Sequence, residues 1–93
     1  MRATAALSVP RDTHRLVRGP GGDVFAIGGR TTRYRTVDEV ERFSLATEEW
    51  TVVGRLSHPR LDAFAATYGE RILVIGGAHQ EEGGVAETEW LTF

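Results

Sequence analysis

Short apolar runs separated by glycine, proline and polar turns cover the chain, and nowhere do apolar residues recur at the 3.6-residue spacing of an amphipathic helix. Two runs stand out. Val24-Phe25-Ala26-Ile27 and Ile72-Leu73-Val74-Ile75 are continuously apolar, as strands buried on both faces are, and each stops at a glycine pair, Gly28-Gly29 or Gly76-Gly77. Around each run the pattern predicts further strands. One precedes it, at 14–18 or 63–67, and ends in turn residues, Gly19-Pro20-Gly21-Gly22 or Tyr68-Gly69-Glu70. A third strand is predicted over 37–43, a polar turn at 46–49, and a fourth strand over 50–53. The continuously apolar second strands are expected to lie innermost.

The two sets of elements are one pattern written twice. Pro10-Arg11 recurs as Pro59-Arg60 at an offset of 49, and Val24 to Gly29 recurs as Ile72 to Gly77 at an offset of 48. Further on, Val40-Glu41-Arg42-Phe43 lies over Thr88-Glu89-Trp90-Leu91, so the period persists. The expected organisation is a first repeat over 10–58 and a second over 59–93, incomplete at its end. Residues 1–9 overlie the fourth-strand segment, with Leu7-Ser8 on Leu56-Ser57, and are expected to complete a blade.

A hydrophobic strand ending in Gly-Gly, a Pro-Arg before the first strand, and an aromatic pair with six intervening residues, Phe43 and Trp50, together resemble the kelch repeat. The resemblance implies an all-β fold: two kelch-type four-stranded antiparallel blades of a partial or self-assembling β-propeller, a ring that typically has ~4 to 8 blades. Phe43 departs from the tyrosine usual in the family, and Leu91 stands at the matching place in the second repeat. The resemblance further implies recognition of a protein or peptide through loops at one face of the ring. Its alternatives are a fragment of a carbohydrate-active isomerase or oxidase, or an inactive piece of a longer propeller. A copper oxidase with a cysteine-tyrosine cofactor is excluded, because the chain has no cysteine.

That absence also removes disulfide staples and thiolate metal sites, so a 93-residue chain must find its stability elsewhere or in a neighbour. A second copy completing the ring, or the remainder of a longer chain, could supply it. The formal charge of -2 gives no global reason to expect nucleic acid or an anionic membrane as partner. All eleven basic residues are arginine. No apolar stretch approaches the ~20 residues of a bilayer span, and residues 1–7 are too short for a secretory signal. The expectation is a soluble chain, with the cytoplasm favoured.

Candidate chemistry is sparse. The glycine pairs lack a phosphate-binding fingerprint and read as structural, since glycine tolerates positive φ and close backbone approach. Phe43 and Trp50 read as packing between blades, with Trp50 buried there and its truncation unfolding the protein. His14, His58 and His79 are scattered singly, so no metal or cofactor is expected. Ser8, Ser44 and Ser57 lack a nucleophile-elbow setting and no carboxylate pair is marked, so no catalytic residue is assigned and an enzyme is not expected. The best binding candidate is the loop after the first glycine pair, where Arg30, Arg33, Tyr34 and Arg35 offer clustered guanidinium forks for an acidic partner. Against this stands a solvated turn that salt-bridges to Glu81 or Glu82. The matching loop of the second repeat, 78–84, is acidic and glycine-rich.

Overall fold

The computed structural model describes residues 6–33 and 35–93. Its regular elements are strands and a single 3-10 turn at Pro20–Gly22. In chain order the strands are β1 (Arg15–Arg18), β2 (Val24–Ile27), β3 (Glu39–Ser44), β4 (Glu49–Arg55), β5 (Phe64–Tyr68), β6 (Arg71–Ile75), β7 (Ala78–His79), β8 (Gly83–Gly84) and β9 (Glu89–Thr92). The first four form an antiparallel sheet in sequential order, unit 1. Unit 2 is an antiparallel sheet ordered β5-β6-β9, with β7 and β8 paired as a small hairpin in the loop between its last two strands. Among the described residues, then, the all-β antiparallel expectation holds, unit 2 has three main strands rather than four, and the two sheets are not a closed ring. The strand expected from residues 1–9 falls largely outside the described residues. No helix among those described is long and apolar enough to cross a membrane.

Local chemistry explains the hairpins. The Asp23 carboxylate accepts a hydrogen bond from the Leu45 N–H at 3.0 Å, tying the β1–β2 turn to the β3–β4 turn. In that second turn the Glu48 N–H donates to Ser44 O at 2.7 Å and the Thr47 N–H to the Ser44 hydroxyl at 3.3 Å. A register shift between Val40 and Glu41 inserts a bulge into the β3–β4 ladder.

The period-2 alternation of each sheet then creates two unlike faces. Directly paired residues share a face, so Val17, Phe25, Ile27 and Val40 lie together on what is here termed the front of unit 1. Ala65, Ile72, Val74 and Leu91 share the back of unit 2 by the same rule, with Ile72 also facing Thr67. These two faces make one core, joined by Leu56 and Ala63 from the connection. Phe93 closes its end by stacking on Phe25 at 4.7 Å between centroids.

Two expectations are corrected by this arrangement. The apolar second strands, β2 and β6, are central in their sheets, paired on both edges. A central strand is as apolar as an axial one, and the pattern cannot separate the two. The edges at which the units meet are β1 and β5: the Arg15 Nε donates to Ala63 O at 2.7 Å, and the Thr67 hydroxyl to Arg18 O at 2.6 Å. Trp50, expected deep between blades, is half-buried on the outer strand β4. It sits directly across from Phe43, 5.2 Å between ring centroids. The six-residue spacing is therefore the span of a hairpin that brings the two rings into contact at a tilt of 51°.

Candidate functional site

The loop that follows each central strand starts at the glycine pair, and the backbone there explains why glycine is needed. Gly28 has φ 66°, and a Cβ on it would overlap the Arg60 carbonyl oxygen arriving from unit 2. Gly29 has φ 106° and donates its N–H to that same oxygen at 2.9 Å. The pair is thus a close backbone crossing between units. Beyond it the 30–36 loop is closed as a small hairpin, with isolated bridges from Arg30 to Asp12 and from Arg30 to Thr36. Thr31 and Arg35 are bound to one another inside the hairpin: the Thr31 N–H donates to Arg35 O at 2.9 Å, and the Arg35 N–H to the Thr31 hydroxyl at 3.1 Å.

On this frame the three arginines have different fates. Arg30 pairs with Asp12 at 2.8 Å, and that hydrogen bond lowers the Asp12 carboxyl below its ordinary range. Arg35 grips both oxygens of Glu39, at 3.2 and 3.4 Å. Burial pushes the Glu39 carboxyl up, yet hydrogen bonding with Arg35, Asp38 and the backbone, together with the Arg35 charge, outweighs it and holds the group at about 2. Arg33 is exposed and has no ion-pair or hydrogen-bond partner among the described residues. Tyr34 lies outside the described residues. The loop's link to unit 2 is neutral: Thr36 and Gln80 bond through the Gln80 N–H onto the Thr36 hydroxyl at 3.2 Å and between side chains at 3.5 Å.

In unit 2 the matching loop begins with the same backbone bridge, Leu61 to Ala78 in place of Asp12 to Arg30, without the ion pair. The Glu81 N–H donates to His79 Nδ1 at 3.1 Å and so fixes the start of this acidic turn.

The strongest polar feature was missed in the sequence. Arg11, after the first Pro-Arg proline, is completely buried with Glu41, their closest atoms 2.6 Å apart. Its guanidinium also donates to Val9 O, Gly28 O and Glu39 O, while the Glu41 carboxylate accepts the Ser8 and Val9 N–H groups. Unit 2 repeats every contact. Arg60 pairs with Glu89 at 2.8 Å and donates to His58 O, Gly76 O and Glu87 O, while Glu89 accepts the Ser57 and His58 N–H groups. Burial lowers the Arg11 pKa against the pull of Glu41. Burial raises Glu89, but the two N–H groups and Arg60 outweigh it and lower its pKa. The signal in the sequence was a glutamate at the same position of each third strand, Glu41 and Glu89, aligned at the offset of 48.

The histidines are not brought together. His14 packs beside Gly29 with its Nδ1 buried and unpartnered, and burial lowers its pKa. His79 is in the unit 2 loop, and His58 belongs to the Arg60–Glu89 cluster through its backbone. No three His, Cys, Asp or Glu side chains gather as a metal site among the described residues.

Comparison with known proteins agrees with this geometry. Residues 16–57, from β1 to just beyond β4, match the Kelch motif. The chain is 37% identical over 65 residues, 70% of its length, to Kelch domain-containing protein 8B of Mus musculus, and the match covers 18% of that protein. It therefore spans less than a fifth of this relative. With the motif match, the paired glycines, the aromatic hairpin and the repeated Arg–Glu cluster in hand, the chain belongs to the kelch-repeat family.

Proposed function

We propose that this kelch segment is a recognition module that binds an acidic protein or peptide through the 30–35 loop of unit 1. The observation that carries this reading is Arg33: its guanidinium projects unpaired among the described residues from a loop whose flanking arginines are pinned to Asp12 and Glu39. A held loop loses little conformational freedom on binding, and an unpaired guanidinium offers a planar donor fork that suits carboxylate or sulfate. The acidic 78–84 loop next to it disfavours the same ligand at unit 2.

The test is a titration of wild type and Arg33→Glu with acidic peptides and sulfated sugars at two salt concentrations, with thermal melts as the folding control. Losing one charged hydrogen-bond donor and gaining repulsion should weaken binding by about tenfold or more. The salt dependence should flatten as well, since exposed charges are screened over ~8 Å at physiological ionic strength. Equal affinity for both proteins, or no binding by wild type, returns the loop to a solvated turn.

A further inference from the structure

At the base of each loop the second glycine packs on the chain that enters the unit, and the two repeats do this in one geometry with different residues. A Cβ on Gly77 would lie 3.1 Å from the Ala63 Cβ, and one on Gly29 would lie 3.0 Å from the His14 Cβ. His14 and Ala63 are equivalents at the offset of 49. Ala63 fills the place with a methyl group and is 2% exposed, so the fold has no need of an imidazole there. Unit 1 nevertheless carries one, half-buried, with its Nδ1 shut off from solvent and without a hydrogen-bond partner.

The charged groups around this ring are committed elsewhere. On the segment that leads into β1, Asp12 turns to Arg30 at 2.8 Å and Arg11 to Glu41 at 2.6 Å. Glu41, from β3, also accepts the Ser8 and Val9 N–H groups. Arg60 of unit 2 comes to Gly29 by its carbonyl oxygen, while its guanidinium is held by Glu89. A neutral imidazole therefore leaves Nδ1 as an unused acceptor. A protonated one is a donor at both nitrogens and would bury a charged N–H with nothing to receive it. Burial and the Arg11 charge accordingly lower the His14 pKa from its ordinary 6.5, against the pull of Asp12 and Glu41.

The backbone that His14 touches anchors the arginine loop. Gly29 donates its N–H to Arg60 O at 2.9 Å and accepts the Val37 N–H at 2.8 Å, and Asp12 and Arg30 exchange backbone bonds at 3.0 and 2.9 Å beside it. We infer that His14 is an acid-sensitive latch on this anchor. Neutral, it lets the entering segment close on Gly29; protonated, it is driven toward water, loosens the Gly29 bonds to Arg60 and Val37, and frees the base of the 30–36 loop. The latch acts on how the loop is held, whatever the loop binds. The opened chain takes up the proton more readily than the closed one, so the anchor is fully stable above pH 6.5 and weakens as pH falls below it. Asp12, Glu39 and Glu89, whose carboxyls are lowered from 3.8 and 4.5, lose their contributions only at lower pH, which leaves the window from 6.5 to 5 to histidine.

The test is amide hydrogen exchange by NMR on the whole chain at pH 7 and pH 5.5, corrected for the intrinsic exchange rate. Protection of the Gly29 and Val37 amides should fall by up to about tenfold per pH unit below 6.5. Leu61 and Ala78, whose amides bond each other's carbonyls at the unit 2 equivalent, should keep theirs. His14→Ala, which installs the residue unit 2 uses, should abolish the pH dependence, and His14→Phe does the same with the ring volume kept should the first variant fold poorly. His58→Gln and His79→Gln should retain it. Unchanged Gly29 protection in wild type overturns the inference, as does a pH dependence that survives in the His14 variants or disappears in His58→Gln or His79→Gln. So does an equal fall at Leu61 and Ala78, which would mean that acid melts the whole chain and not the anchor.

Discussion

Units 1 and 2 agree where backbone must be held and diverge where side chains meet solvent. Arg11–Glu41 and Arg60–Glu89 reproduce the same acceptors, one by one, in the two repeats. Each cluster answers the same need. The connection into a unit and the carbonyl of the first loop glycine are packed away from water, and a buried guanidinium satisfies several oxygens at once. The loops beyond the glycine pairs have no such need, and they differ in charge and partners. Unit 1 pairs Phe43 with Trp50 in tilted contact, whereas unit 2 has Leu91 at the Phe43 position and places Trp90 on the opposite face, where Arg71 lies 4.1 Å over its ring. What recurs in this chain is polar satisfaction inside; what varies is surface.

Breaking the shared element should have the largest effect. Removing one member of a buried ion pair costs about 3–5 kcal/mol, so Arg11→Met and Arg60→Met should each lower stability by that order in urea unfolding. Arg11→Met should be the worse of the two, because Glu41 is left fully buried while the Glu89 side chain keeps 11% exposure. Equal and negligible losses would mean that the clusters are incidental. The glycine pairs sharpen the comparison next. Gly28→Ala combines a left-handed backbone with a clash against Arg60 O and should cost about 2–5 kcal/mol. Gly76→Ala, with φ 71° but open space around its Cβ, should cost about 1–2 kcal/mol. A reversed order would place the close crossing in the wrong unit.

Trp50→Ala comes third. Half-buried and in tilted contact with Phe43, it should lose about 2 kcal/mol, below the ~3–5 kcal/mol of a fully buried aromatic, and the protein should still melt cooperatively. The smallest effect is that of acid. Glu39 falls from an ordinary 4.5 to about 2 when folded, so its stabilisation is complete above pH 4.5 and is lost as pH drops toward 2. Glu89, also lowered, adds a loss of the same sign. The Glu39 part should shrink in Arg35→Met to what Asp38 and the backbone supply, while the Glu89 part remains, a difference visible in melts at pH 7 and pH 3.

The strands of unit 1, the glycine turns and the repeat were legible from residues alone, because alternation and turn chemistry act over a few neighbours. Strand boundaries moved by only a residue or two: β2 is the predicted 24–27, and β6 adds Arg71 to the predicted 72–75. The arginine loop was found for the same local reason, a cluster of one residue type within six positions. Its internal pairing was not, since Asp12 lies 18 residues from Arg30 and nothing in the spacing announces that they meet.

The amino-acid pattern by itself determined an all-β kelch repeat, its period and the places where only glycine fits. Tertiary structure decided the rest, because each remaining answer depends on what stands opposite. It put Glu41 beside Arg11 across 30 residues, turned Trp50 from an expected interior anchor into a half-buried ring on Phe43, and set β1 and β5 rather than the apolar strands at the meeting edge. Hydrophobicity records whether a residue is covered; only the packed sheets record by what.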